Sequence, residues 1–430
     1  MGQRLRVTLR FFFHLLRDVL GTLRWWFVRR WRRNVLGEEV LAVGVDIFPF
    51  FEKMTGVGWY EWNLLARLPE VDPAIELHLY AHTFAAPDEP SPPTLPTTLR
   101  TRFRYHHIPE GFLLPIGPTI KVLRATFEPA LLFLDGIDVF FAPNFFVPRR
   151  HLAAVRSLVA TVHDLAFLRL PQTVQKETLD NLHRHLPGAL FSSTALIAVS
   201  QATATDLEEL AGVSARRVHV IHEGVDPTLA GPDTVTPTGL PPRYMLFVST
   251  LEPRKNVVNL LAGFARAVAG GYPGKLLLVG RWGWRTETAQ EALRTSPVRD
   301  RIVHLDYLDR QVLAAVLRRA EALVFPSLLE GFGLPVVEAM ACGLPVITSR
   351  RSSLPEVAGD AAIYVDPDDP GSIAAASLTL ANDVDLRGRL ATAGRERAAL
   401  FRWDEAARAT AGVLRRAAGL SERFPDAYRV

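Results

Sequence analysis

One cysteine in 430 residues, Cys342, excludes an intramolecular disulfide and any cysteine-rich metal site. It fits a reducing compartment, and between Ala341 and Gly343 it reads as a small buried residue. Phosphate-binding signatures are missing as well. No Gly, four residues, Gly-Lys-Ser/Thr run exists, and "LVGRWGW" at 278–284 lacks the full dinucleotide glycine fingerprint, so ATPase and dehydrogenase readings lose ground. Histidine pairs lack a third ligand. His78 and His82 lie in an apparent strand, and His106-His107 and His183/His185 stand alone, so no metal is expected. Acids are scarce in residues 1–33, where nine arginines face only Asp18. Elsewhere 40 basic residues meet 44 acidic ones. The basicity is therefore local, which argues against a nucleic-acid surface and for one attachment device.

What is present describes a folded globular protein of two domains, 48% hydrophobic and 22% charged. In "RVTLRFFFHLLRDVLGTLRWWFVRRWRR", Leu9, Phe12, Leu16, Leu20, Leu23 and Phe27 recur at helical steps, with Arg10, Arg17 and Arg24 beside them. His14, Arg17 and Asp18 break the run needed for a secretory signal or a spanning helix. Arg6 stands where myristoylation wants Ser or Thr. Trp25, Trp26 and Trp31 with the arginines suit a helix in an anionic membrane interface over residues 1–36; packing on the protein's own surface is the alternative.

From residue 39, short apolar runs alternate with helical patterns, among them 57–68, 117–134, 176–191 and 201–211. "LAGPDTVTPTGLPPRY" at 229–244 is rich in Pro, Gly and Thr, and a second alternating series follows it. Such alternation predicts an α/β chain of two Rossmann-like domains with parallel sheets facing a cleft. The boundaries are 37–230 for the first domain, 231–243 for the linker, 244–400 for the second, and 401–430 for a C-terminal helical segment that can pack back on the first. Ligands of such sheets bind at the carboxyl ends of strands.

Three strand ends carry chemistry. "STLEPRKN" at 249–256 delivers Arg254 and Lys255 at a helix start, which suits a diphosphate or simply a solvated helix start. "FPSLLEGFGLPVVEAMACGLPVITS" at 325–349 sets Glu330 and Glu338 eight apart around Gly-Phe-Gly. Ionised carboxylates are acceptors only and suit vicinal hydroxyls, on a hexose and on a ribose. The helix dipole alone accounts for Glu338 passably, but not for Gly-Phe-Gly. His163 ends the strand in "SLVATVHDLAF", and from the residues alone a core histidine held by Asp164 is the simpler reading.

The C-terminal half resembles the retaining glycosyltransferases of family 4, whose E-x7-E signature with G-F-G matches Glu330 to Glu338. "TGVGWYEWNLLARL", "FFAPNFFVP", "VATVHDLAFLRLP", "VIHEGVD", "STLEPRKN", "LVGRWGW" and "SSLPEVAGDAAIYVDPDD" follow the family's order, over roughly residues 40–415. The resemblance implies two Rossmann-like domains, the GT-B fold, and a nucleotide-sugar donor. It implies that Glu330 and the backbone of Phe332 and Gly333 clamp the donor hexose. Glu338 would hold the ribose, and Arg254 and Lys255 would neutralise the leaving diphosphate with help from Leu334. The Gly56-Val57-Gly58 loop and Gly280 would approach the donor, and His163 would stand against the transferred sugar. No metal or cofactor is implied.

Trp59 stands where arginine is usual, Asp306 where glycine is usual, and His222-Glu223-Gly224 replaces Pro-Asn-Gly, a change expected to be harmless. The resulting expectation is a hexosyltransferase, cytoplasmic and peripheral on the inner face of the cell membrane. It would move mannose from GDP-mannose, or a hexose from a UDP-sugar, to a lipid-linked or polysaccharide acceptor. A non-catalytic scaffold and a nucleotide-sugar epimerase on the same fold are the rivals.

Overall fold

The computed structural model describes residues 39–47, 56–83, 104–109, 132–144, 155–231 and 237–421, with Leu23, Phe27, Trp31, Val35 and Val235. The segment 1–36, apart from those four positions, and most of the helical stretch read at 117–134 lie outside the described residues.

Two parallel sheets carry the chain. The first orders its seven strands β3-β2-β1-β4-β5-β6-β7. These are β1 Leu41–Asp46, β2 Ile75–Thr83, β3 Arg104–Pro109, β4 Val139–Ala142, β5 Ser157–Val162, β6 Ala195–Ala198 and β7 Val218–Val220. The second orders six strands β10-β9-β8-β11-β12-β13. They are β8 Tyr244–Val248, β9 Lys275–Val279, β10 Ile302–Leu305, β11 Ala322–Phe325, β12 Val346–Ser349 and β13 Ala362–Val365.

Apolar residues fill β4 and β11 without a break because helices cover both faces of a parallel sheet; all four residues of each strand are buried, as are those of β12, whose Thr348 and Ser349 hydroxyls bond backbone carbonyls. In each sheet the order reverses once, between β1 and β4 and between β8 and β11. Ligand crevices of open α/β sheets form at those points.

Helix Gln201–Ala211 shows how local chemistry sets boundaries. Ser200 accepts from the Thr203 N–H at its start, and Gly212, at φ 64°, closes it in the left-handed conformation. The last described helix, Trp403–Ala417, lies against the first-half helix Gly56–Val71. Arg67 Nε reaches Asp404 at 3.1 Å, and Ser157 donates to the Ala417 carbonyl at 2.6 Å. Fully buried Arg415 bonds Asp72 at 3.0 Å and also pairs with Glu39, so its charge is compensated on both sides. The chain therefore connects the halves twice, after β7 and again near Phe401, whose carbonyl accepts from Val225 at 3.0 Å.

Candidate active site at the seam of the two halves

Beyond β11 the chain turns at Glu330–Gly333 and enters helix Leu334–Ala341. Gly333 at φ 112° caps it, and Pro335 occupies its first turn. Leu334 begins that helix, so its N–H has no intrahelical acceptor. Phe332 is buried edge-on against Phe401, 5.4 Å between ring centres.

Glu330 is 6% exposed and fully engaged. Lys255 Nζ donates to its two oxygens at 2.6 and 2.8 Å, Ser327 Oγ at 2.7 Å, and an Arg254 guanidinium nitrogen at 3.3 Å. Burial alone would raise its pKa; Lys255 and Arg254 outweigh burial and hold the carboxyl below the ordinary glutamate value. Arg254 also bonds the Leu329 carbonyl at 3.0 Å and Glu252 at 2.6 Å. The pair of cations sits on the short turn Pro253–Lys255 ahead of helix Val257–Ala269, and not in the helix itself. Asn256 follows at φ 61°, and its amide bonds the carbonyls of Pro326 and Pro367 at 3.1 and 2.7 Å. That pins the loop after β8 to the loop after β11. Gly280, after β9, is required by packing: a Cβ there would meet the Ser249 carbonyl oxygen at 1.8 Å.

His163 faces this cluster from the end of β5. Its Nδ1 lies 3.2 Å from Glu223 Oε1 and its Nε2 2.9 Å from the Pro143 carbonyl. Tyr60 sits edge-on to the ring at 4.7 Å. Both ring nitrogens meet acceptors, which only the imidazolium satisfies fully. Burial pulls the histidine down, but Glu223, the Pro143 carbonyl and Asp164 outweigh it and raise its pKa above 6.5.

The histidine is thus held by Glu223. Asp164 accepts from the Ala166 N–H at 3.0 Å instead. The residues that replace Pro-Asn at 222 and 223 both make contacts of their own, and Gly224 is kept. Glu223 grips His163, His222 Nε2 reaches Glu356 at 2.6 Å, and a Cβ at Gly224 would strike the Trp403 backbone at 2.2 Å.

The halves meet at Gly331. Its carbonyl accepts from Ser200 Oγ at 2.5 Å and Thr203 Oγ1 at 3.3 Å. Glu356 accepts from the N–H groups of Gln201 and Ala202 at 2.8 and 3.3 Å, at the start of a first-half helix where the dipole favours a carboxylate. Beside this seam opens a cavity of about 350 Å³, lined by Arg169, Thr205 and Asp206 on one side and Leu329, Arg351 and Ser352 on the other.

Glu338, one helical turn inward from Leu334, is 8% exposed. Its Oε1 accepts from Arg310 at 2.7 Å, a partner with no signal in the motifs. Gly56 and Gly58, read as a loop, form the first turn of helix Gly56–Val71. Neighbouring Trp59 lies 5.2 Å under the Arg310 guanidinium, so that turn faces the Glu338 region. The structure therefore brings His163, Arg254, Lys255, Glu330 and Gly331 to one place, and Glu338 with Arg310 and the Gly56–Trp59 turn to another. Glu223, Arg310 and Asp226, whose Oδ2 accepts from Arg310 Nε at 3.2 Å, join them unannounced. Among the described residues no group of three or more His, Cys, Asp or Glu could hold a metal ion.

Residues 54–229 match Glycosyltransferase Family 4, and residues 235–397 match Glycosyl transferases group 1. The chain belongs to the family 4 glycosyltransferases. This retaining glycosyltransferase is 28% identical to the O-antigen chain mannosyltransferase B of Escherichia coli over 83% of its own length and 94% of the relative's. It is 35% identical to the MMP alpha-(1->4)-mannosyltransferase of Mycolicibacterium hassiacum, over 52% of this glycosyltransferase and 54% of that one. The crystal structure of a glycosyltransferase from Rickettsia africae has the same fold, with a TM-score of 0.66 at 13% identity, over 89% of this chain and all of that one.

Proposed function

We infer that the enzyme transfers mannose from GDP-mannose, with retention and without a metal, to a lipid-linked or polysaccharide acceptor. One observation carries the donor half of this reading: Lys255 and Arg254 converge on Glu330 at the strand ends, opposite His163. Two adjacent cations there can take up the charge that grows on a departing diphosphate. The bond between the sugar C1 and the phosphate oxygen breaks, and the acceptor oxygen bonds C1 on the same face. The acceptor proton passes to the leaving diphosphate. Glu330, once Arg254 turns from it to the diphosphate, holds the hexose with the Phe332–Leu334 backbone, and Glu338 holds the ribose. His163 sets its carbonyl near the reacting carbon. Mannose is favoured because two relatives are named mannosyltransferases.

The acceptor end rests on residues 1–36. Leu23, Phe27, Trp31 and Val35 are helical, spaced by four and exposed, which suits an apolar stripe lying in a membrane interface. No helix among the described residues is long and apolar enough to cross a membrane. A scaffold without activity has no need of the paired Lys255, Arg254 and Glu330.

Thermal shifts with GDP-mannose, GDP-glucose, UDP-glucose and UDP-galactose test the donor, because binding raises stability by mass action. GDP-mannose should give the largest rise and the only labelled product. A larger rise with a UDP-hexose would replace the donor and keep the chemistry.

A further inference from the structure

We propose that Arg310 is the positioning residue of the ribose carboxylate, fixing Glu338 in place and tying it to the first half of the enzyme. This rests on the reading of Glu338 as the ribose ligand.

Arg310 opens helix Arg310–Arg319, beyond the carboxyl end of β10, and its side chain joins three separate elements. One terminal nitrogen donates to Glu338 Oε1 at 2.7 Å, and Nε donates to Asp226 Oδ2 at 3.2 Å. The flat guanidinium lies 5.2 Å from the Trp59 ring. Asp226 belongs to the crossing after β7, Trp59 to the first turn of Gly56–Val71, and Glu338 to the second-half helix Leu334–Ala341. A planar fork of donors can stack its face on the indole while its edge meets two carboxylates, which a point-like ammonium does less well.

A buried carboxylate is a good ribose acceptor only if it stays ionised and keeps one rotamer. Burial, helped by Asp226 and Glu223, raises the Glu338 pKa above the ordinary glutamate value, and Arg310 is the cation that limits the rise. With Oε1 held by Arg310, Oε2 is the oxygen left for a ribose hydroxyl. The same guanidinium reaches across the seam, so ribose capture and closure of the halves share one side chain.

The test compares binding of GDP and UDP with that of their 2′,3′-dideoxy counterparts, for wild type, Glu338→Gln, Arg310→Gln and Arg310→Lys. In each variant the ratio of ribo to dideoxy affinity is the readout, and it cancels any loss of folded protein. Glu338→Gln should erase the wild-type preference. Arg310→Gln should cut it by about tenfold, leaving the dideoxy affinity unchanged, and Arg310→Lys should recover only part. If Arg310→Gln weakens both ligand types equally, or leaves the ratio as in wild type while Glu338→Gln erases it, the positioning role is overturned and the ribose reading stands. If Glu338→Gln leaves the preference intact, both fall.

Discussion

Gly331 and the carbonyl of His163 approach so closely that a Cβ on the glycine would lie 1.8 Å from that oxygen. The contact joins the halves through backbone on both sides, so no side chain can swing away to relieve it. Gly331→Ala must therefore hold the halves apart by more than 1 Å. A misplacement of about 1 Å at a reacting centre costs on the order of 10²-fold in rate. Transfer should fall by about that factor, while the thermal shift with GDP, proposed to bind the second half, should survive. Full transfer by the alanine variant would mean that the closed contact is not the working one.

Glu223 offers a second test, through pH. His163 keeps a raised pKa because Glu223, the Pro143 carbonyl and Asp164 outweigh its burial, with Tyr60 edge-on to the ring and Arg254 beyond Asp164 at 3.9 Å. A raised folded pKa gives stability that is whole below the ordinary histidine value of 6.5 and fades as pH rises through the folded value. Loss of the proton also costs the ring one of its two hydrogen bonds. Activity should then fall on the alkaline side, and Glu223→Gln should move that limb to lower pH. The pH profile of kcat, with the His163 titration followed by NMR, checks it. An unmoved limb would show that Glu223 merely fills space.

Why these two residues escaped the sequence is a matter of distance along the chain. Glu223 meets His163 across 60 residues and Arg310 meets Glu338 across 28, and neither pair leaves a periodicity or a spacing. The strands were legible for the opposite reason. Runs such as "ALVF" are apolar throughout, and "LVATV" nearly so, because each strand is covered on both faces, so β5 and β11 announce themselves locally. Glu330 and Glu338 were visible because a turn and a helix between them fix their spacing. Their partners were less so: Lys255 on Glu330 joins two strand ends 75 residues apart, and it converts an apparently open sugar clamp into a buried, neutralised group. Gly56 and Gly58 suggested a loop, yet they open helix Gly56–Val71, where glycine's entropic cost is smaller than in a helix interior.

The two cations should separate in their effects. Lys255 is 6% exposed and carries two bonds to Glu330, so Lys255→Ala leaves a buried carboxylate short of its counterion. Breaking a buried pair in this way costs roughly 3–5 kcal/mol of stability. Arg254 is more accessible, with 20% of its side chain exposed, and Glu330 keeps Lys255 without it. Arg254→Ala should cost some stability through buried Glu252, which loses its bond, and should lose kcat more than nucleotide-sugar affinity, because charge on the diphosphate is greatest in the transition state. Wild-type turnover should persist in EDTA. Restoration of a chelated enzyme by Mg²⁺ or Mn²⁺ would assign that charge to a metal instead.

Removing residues 1–36 should detach the enzyme from membranes and leave the cleft intact. The cut falls before Glu39, which pairs with Arg415, and before β1 begins at Leu41, so no strand and no ion pair described in the first half is lost. Each of the nine arginines removed contributes about 1 kcal/mol near an anionic surface. Leu23, Phe27, Trp31 and Val35 add apolar transfer energy that salt does not screen. Full-length protein should therefore co-sediment with phosphatidylserine-containing vesicles strongly at low salt and partly at high salt. The truncated form should stay in the supernatant and still show the GDP-mannose thermal shift. Equal sedimentation of both forms, or an insoluble truncation, would mean that the apolar stripe packs against its own protein and that the acceptor reaches the cleft without a membrane surface.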